Sequence, residues 1–165
     1  MPDADLSLAV PAVGFGAIGT AGQRCTSTRR LYLHRSIASE FLEKLEKLYK
    51  SIKPGDPLEP KTLLGPLHTR AACDTYLHAI DHLKTIGSKL LVGGKAYDYG
   101  LFNGGNFVEP TISIPKSVNK SDSIWTTEVF APILNVGIFD ELDQAIEWNN
   151  AVPQVGAAVY ALTRH

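Results

Sequence analysis

Cysteine is scarce in this sequence, with only Cys25 and Cys73 among 165 residues. So few thiols exclude a disulfide-held scaffold and point to a reducing compartment, read here as the cytoplasm with the mitochondrion left open. Long apolar stretches are also missing, so no membrane span is expected. No early run joins a basic flank, an apolar core and a small-residue cleavage site, so no secretory signal is expected either. Excess charge is absent: the net charge is −1, which gives no electrostatic reason to expect nucleic acid or an anionic membrane as a partner. Repeats and low-complexity tracts are lacking, which removes solenoid architectures. What is present is the make-up of a globular domain, 44% hydrophobic and 20% charged, long enough to bury one core.

Along the chain, Asp3 or Asp5 is placed to cap a helix that continues past Pro11 to about Thr20, with a strand as the rival for "LSLAVPAV". "RRLYLH" alternates as a short strand. "SIASEFLEKLEKLYK" then takes helical spacing, with Ile37, Phe41, Leu45 and Leu48 as its apolar stripe. Glu40–Lys44, Glu43–Lys47 and Glu46–Lys50 form i,i+4 pairs on its wet side. Four prolines and two glycines in residues 53–69 forbid regular structure there. The next helix is expected from Thr69 to Ile86, burying Cys73, Tyr76, Leu77, Ile80 and Leu83, with Gly87 as its stop. "KLLVGG", "NFVEPTISI" and "ILNVGIF" read as strands, and Asp140 is expected to cap a helix through Leu142, Ala145, Ile146 and Trp148. "AAVYAL" reads as a last strand. This alternation predicts an α/β fold with a largely parallel sheet flanked by helices. A sheet stopping so close to the final residues suggests a chain cut from something larger.

The stretch "GFGAIGTAGQRCTS" contains two competing motifs. Gly14, Gly16 and Gly19 have the G-x-G-x-x-G spacing of a dinucleotide-binding turn, and Glu40 stands at the offset of a ribose-binding acid. Glu40 falls inside a predicted helix, however, and the segment after Gly19 does not complete the unit, so small residues allowing close packing are the better reading. Cys25 is open to two readings, a buried structural thiol or a nucleophile. Between Leu6 and Ser39 there is no acid, while Arg24, Arg29, Arg30 and Arg35 all occur, a field that favours thiolate if those side chains approach. Asp74, His78 and His82 recur every four residues, but a third strong ligand and its support are missing. They read as a solvated helix face, and no metal is expected.

"GTAGQRCTSTRR" resembles the nucleophile segment of the aldehyde dehydrogenase superfamily, and "TEVFAPIL" resembles that family's Glu-x-Phe-x-Pro segment about a hundred residues on. "GPLHT", "VEPTI" and "EWNN" are most similar to its antiquitin group, and the resemblance runs from Asp3 to Arg164. Residues 1–165 are thereby expected to form a partial catalytic domain of that type, truncated relative to the family.

The resemblance implies a lysine-catabolic oxidoreductase acting on α-aminoadipic semialdehyde, with NAD as cofactor, NADP left open, and a homo-oligomeric full-length enzyme. By the same resemblance Cys25 is the nucleophile, its backbone N–H is one oxyanion donor, and Arg24 helps anchor the substrate carboxylate. Glu128 matches the position that binds the nicotinamide ribose, and Phe130 the one beside the nicotinamide. On the residues alone, Glu128 is an exposed loop acid and Phe130 a core aromatic. The family's general base, a glutamate in an "ELGG"-like segment, and the side-chain amide of its oxyanion hole have no counterpart in this sequence, so the isolated chain is expected not to turn over aldehyde. The rival reading is an inactive fragment that docks onto full-length subunits.

Overall fold

Asp5 opens the first helix, α1 (Leu6–Ile18), by accepting the Ser7 N–H at 2.9 Å. This is the capping geometry that leaves the first turn satisfied. The computed structural model describes residues 1–97 and 104–152, so the expected strand at 157–162 and part of the Gly- and Tyr-rich loop lie outside the described residues. Helix wins over strand at the start of the chain, with Pro11 held inside α1. This helix is apolar nearly all round: Val10, Val13 and Ala17 are buried, yet Leu8 and Phe15 also face outward.

The strand β1 (Arg30–His34) leads directly into α2 (Arg35–Ser51), whose first turn is capped by the His34 ring accepting the Ser36 N–H at 3.2 Å. Its buried face is Ala38, Phe41, Leu42, Leu45 and Tyr49, with Leu45 wholly enclosed. The stripe is thus rotated from the expected one, and Ile37 and Leu48 flank it half-buried. Packing against α1 on one side and the sheet on the other demands a wider face than one i,i+4 row supplies. All three expected lysine–glutamate pairs form, at 2.6–2.7 Å.

Residues 53–69 carry no helix or strand, and are anchored by Leu64 and Leu67, both 1% exposed. Thr69 caps α3 (Arg70–Thr85), which buries Cys73, Tyr76, Ile80 and Leu83, while Leu77 is only half-buried. Gly87 comes next at φ +70°, the left-handed stop that its lack of Cβ permits.

Beyond it lie β2 (Lys89–Val92), β3 (Thr111–Ile114), the single turn α4 (Ser123–Thr126), β4 (Ile133–Phe139) and α5 (Leu142–Asn150). β3 is shorter than the expected run because Pro110, lacking an N–H, stands at its start. Glu141 rather than Asp140 is the N-cap of α5. Asp140 is taken by Arg35, which donates from Nε and Nη2 at 2.5 and 2.9 Å. Leu142 and Ile146 remain about half exposed on α5, so only Ala145 of the expected stripe is buried.

The sheet order is β1-β4-β3-β2, parallel across β1/β4 and β3/β4 and antiparallel across β2/β3. The largely parallel α/β sheet predicted from the sequence is therefore what forms. Its centre is β4, a nearly unbroken apolar run because both neighbours and both faces cover it.

Candidate functional site

After α1 the chain does not turn smoothly. Thr20, Ala21 and Gly22 take φ of +56°, +52° and +69° in succession. A left-handed conformation costs a residue bearing a Cβ about 1–2 kcal/mol, so surrounding contacts must hold the segment. Gly22 supplies one: a Cβ there would lie 2.4 Å from the Ala131 carbonyl oxygen and 2.9 Å from the Pro132 nitrogen. The absent side chain is what lets the "GQRC" segment sit directly on the "FAP" segment. Gln23 supplies another, its Nε2 donating to the Thr20 carbonyl at 3.1 Å while its Oε1 accepts the His68 N–H at 2.9 Å. The proline-rich loop is thereby fastened to the turn.

Cys25 stands exposed at the apex of the turn formed by residues 24–27. The Ser27 N–H donates to the Arg24 carbonyl at 3.1 Å, and the Arg24 N–H donates to Ser27 Oγ at 3.2 Å. The Cys25 N–H has no acceptor among the described residues, which leaves a donor beside the thiol. Cys73 contrasts with it in exposure: it is 1% exposed, and burial pushes its own thiol pKa up.

Arg29 ties this turn together. Its Nη2 donates to the Arg24 carbonyl at 2.9 Å, and Nη1 donates to the carbonyls of Ser27 and Cys25 at 3.2 and 3.3 Å. The same guanidinium lies 3.3 Å from Glu128 Oε1 and 4.4 Å from the centroid of the Phe130 ring. Burial pushes the Arg29 pKa down, against the upward pull of Glu128 and Cys25. Glu128 Oε1 is itself buried and lacks an aligned hydrogen-bond donor despite the ion pair. Phe130 is 37% exposed, not a core aromatic, and takes φ +52°. Among the described residues, Thr20, Ala21 and Phe130 are the non-glycine positions with positive φ, and all three border this turn. Such strain gathers where a fold over-determines a functional geometry.

The other arginines disperse. Arg24 lies over the Phe15 ring, 5.1 Å from its centroid, and donates to the Phe15 carbonyl, with its Nε buried and unpartnered. The Arg30 charge works against the burial that raises the Tyr32 hydroxyl pKa, and Arg35 pairs with Asp140. The acid-free window thus delivers the Arg29 guanidinium to the turn backbone, and nothing in the spacing distinguished it from its neighbours. The three glycines prove to be contacts: Gly14 faces Leu48, Gly16 faces Thr28, and Gly19 is crossed by the Arg24 guanidinium. Asp74 pairs with Arg70 and His82 bonds Asp122 at 2.8 Å, so the Asp74, His78 and His82 row does not converge on an ion. A cavity of about 300 Å³ opens between α1, β1, α2 and α5, but no thiol, carboxylate or imidazole among the described residues lines it.

The family model for the aldehyde dehydrogenase family matches residues 1–164. The chain belongs to the aldehyde dehydrogenase family. Aldehyde dehydrogenase family 7 member A1 of Pisum sativum is 47% identical over 154 residues, which are 93% of this chain and 29% of that protein. The alpha-aminoadipic semialdehyde dehydrogenase of Mus musculus is 45% identical over 152 residues, 92% of this chain and 27% of that protein. Among solved structures, betaine aldehyde dehydrogenase of Staphylococcus aureus in complex with NAD+ superposes with a TM-score of 0.85 at 31% identity, covering 91% of this chain and 29% of that one. A 3,6-anhydro-L-galactose dehydrogenase, solved as its NADP complex, gives a TM-score of 0.86 at 32% identity over 91% of this chain and 31% of that one. The chain thus spans under a third of the length of the relatives it matches.

Proposed function

We propose that this chain forms the nucleophile-bearing part of an NAD-dependent aldehyde dehydrogenase, with Cys25 attacking the carbonyl carbon of α-aminoadipic semialdehyde. The observation that carries the reading is the exposed thiol on a turn locked by Gly22 and Arg29 against the loop bearing Glu128 and Phe130. Cys25 as thiolate forms the carbon–sulfur bond, and the carbonyl oxygen takes up the negative charge. The unengaged Cys25 N–H donates to that oxygen, an interaction that strengthens as charge develops. NAD would be held beside Glu128 and Phe130 and would supply a hydride acceptor there; the acyl group carried by Cys25 would then leave to water as the acid.

The residues present fit that cofactor. The buried Oε1 of Glu128 lacks an aligned donor and is suited to accept a hydroxyl proton, such as that of a ribose. The half-open Phe130 ring offers a flat face beside it. Arg24 is assigned to the substrate carboxylate, for which its planar donors are suited. NAD rather than NADP, the lysine-catabolic role, a homo-oligomeric enzyme and a cytoplasmic location belong to the same proposal.

The test is a segment exchange. Residues 1–164 replace the matching stretch of the Pisum sativum relative, and NADH formation is followed with α-aminoadipic semialdehyde. Turnover is expected, together with a loss on the order of a thousandfold or more in Cys25→Ser. Retention of activity by that variant would remove Cys25 from the chemistry.

A further inference from the structure

We propose that Arg29 is the positioning residue of this site: one guanidinium fixes the backbone of the Cys25 turn and holds Glu128 and Phe130 against it, so that thiol, carboxylate and ring are set as a single unit. The inference rests on the roles given to Cys25 and Glu128 above.

Four observations carry it. First, the Arg29 backbone is anchored elsewhere, its carbonyl accepting the Asn135 N–H of β4 at 2.9 Å, one residue before β1 begins. The side chain therefore reaches back to the turn from the rigid edge of the sheet. Second, the turn has one internal backbone hydrogen bond, from Ser27 to Arg24, whereas Arg29 adds three from outside. Third, its contact with Glu128 is off-axis: the pair is 3.3 Å apart but Oε1 receives no aligned hydrogen bond. An arginine serving only that carboxylate would adopt the bidentate fork. Here the aligned donors go to the carbonyls, and Oε1 is held in place with its lone pairs unspent. Fourth, Phe130 keeps an unfavourable positive φ while its ring rests on the guanidinium, a contact that contributes to holding the strained residue.

A lysine could not reproduce this, since three carbonyls and an aromatic face need a flat group with several divergent donors. The charge also acts on Cys25. The Arg29 guanidinium attracts negative charge at Cys25, and Glu128 draws on that same guanidinium. Glu128 and Cys25 therefore stand in opposition, competing for one guanidinium.

That opposition provides the experiment. The 165-residue chain and its variants are confirmed folded by thermal melts. Alkylation of Cys25 by iodoacetamide at neutral pH is then timed by peptide mass spectrometry, with Cys73 as internal control. Arg29→Met is expected to slow Cys25 about fivefold, and Glu128→Gln to speed it about twofold. The double variant should track Arg29→Met, because the effect of Glu128 is exerted on the field of Arg29. Arg29→Lys should recover part of the rate and less of the melting temperature. If Arg29 merely packs, the two single variants break the same pair and shift the rate in the same direction or not at all, and either result overturns the proposal. Should Arg29→Met fail to fold, the sign for Glu128→Gln decides alone: slowing or no change rejects it. Opposed signs without turnover in the segment exchange would reject only the proposed function. Turnover lost in Cys25→Ser with Arg29→Met inert would reject only this inference.

Discussion

At the residue scale, the site depends on what two positions lack or carry. Gly22 must have no side chain, both for its positive φ and for its seat on the Ala131–Pro132 peptide. Gly22→Ala is therefore expected to destabilise the chain by about 1–3 kcal/mol from backbone strain alone, with steric overlap added. Denaturant unfolding measures this: a loss below that range would mean that Gly22 does not hold its left-handed conformation, and a loss no larger than it would mean that the two loops are not in contact. Arg24 makes a different prediction. In the segment exchange, Arg24→Met should raise KM for the acidic semialdehyde about tenfold or more while leaving an uncharged aldehyde nearly unaffected. Equal effects on both would return Arg24 to its structural contact with Phe15. Cys25 could be singled out as the candidate from sequence, because its motif is local and a resemblance can carry it. Arg29 could not, since four arginines share one acid-free window and only their tertiary directions separate them.

Among the elements, α2 and α4 show what local pattern does and does not convey. Leu45 lies at the centre of the α2 face with no exposure, so Leu45→Ala should cost about 2–5 kcal/mol in a denaturant melt. The spacing located that helix and its ion pairs, while the exact buried face was set by α1 and the sheet. The single turn α4 has too few residues for periodicity to show. It is held by Asp122, which accepts the Ile124 N–H at 3.0 Å and lies 2.8 Å from His82 Nε2. Partial burial works against the Asp122 carboxylate, but that N–H and His82 outweigh it, so its pKa falls below the usual value. A lowered folded-state pKa means that the stabilisation is present at neutral pH and is lost as pH falls through the ordinary carboxylate range to the folded value. Asp122→Ala is expected to cost about 1 kcal/mol at neutral pH, with the difference from the parent shrinking in melts under strongly acidic conditions. A pH-independent difference would mean that the ionised Asp122 carboxylate does not hold the cap.

For the whole molecule, the question is what the isolated chain does. The carboxylate that the Arg29 guanidinium joins to the Cys25 turn is Glu128, paired with Arg29 and proposed for the cofactor. It is not free to activate water, so purified chain with NAD and aldehyde is expected to give no steady NADH, and continuous turnover would refute this. The sequence by itself determined the α/β alternation and the course of its longer helices, because these rest on spacing and local chemistry. Only the tertiary structure decided that Arg29 rather than its neighbours grips the turn, that Phe130 is open rather than core, and that the glycines serve contacts. The physical reason is distance along the chain: Cys25 and Glu128 are far apart in sequence, and only when β1 and β4 pair do the segments preceding them meet, across a glycine with no side chain.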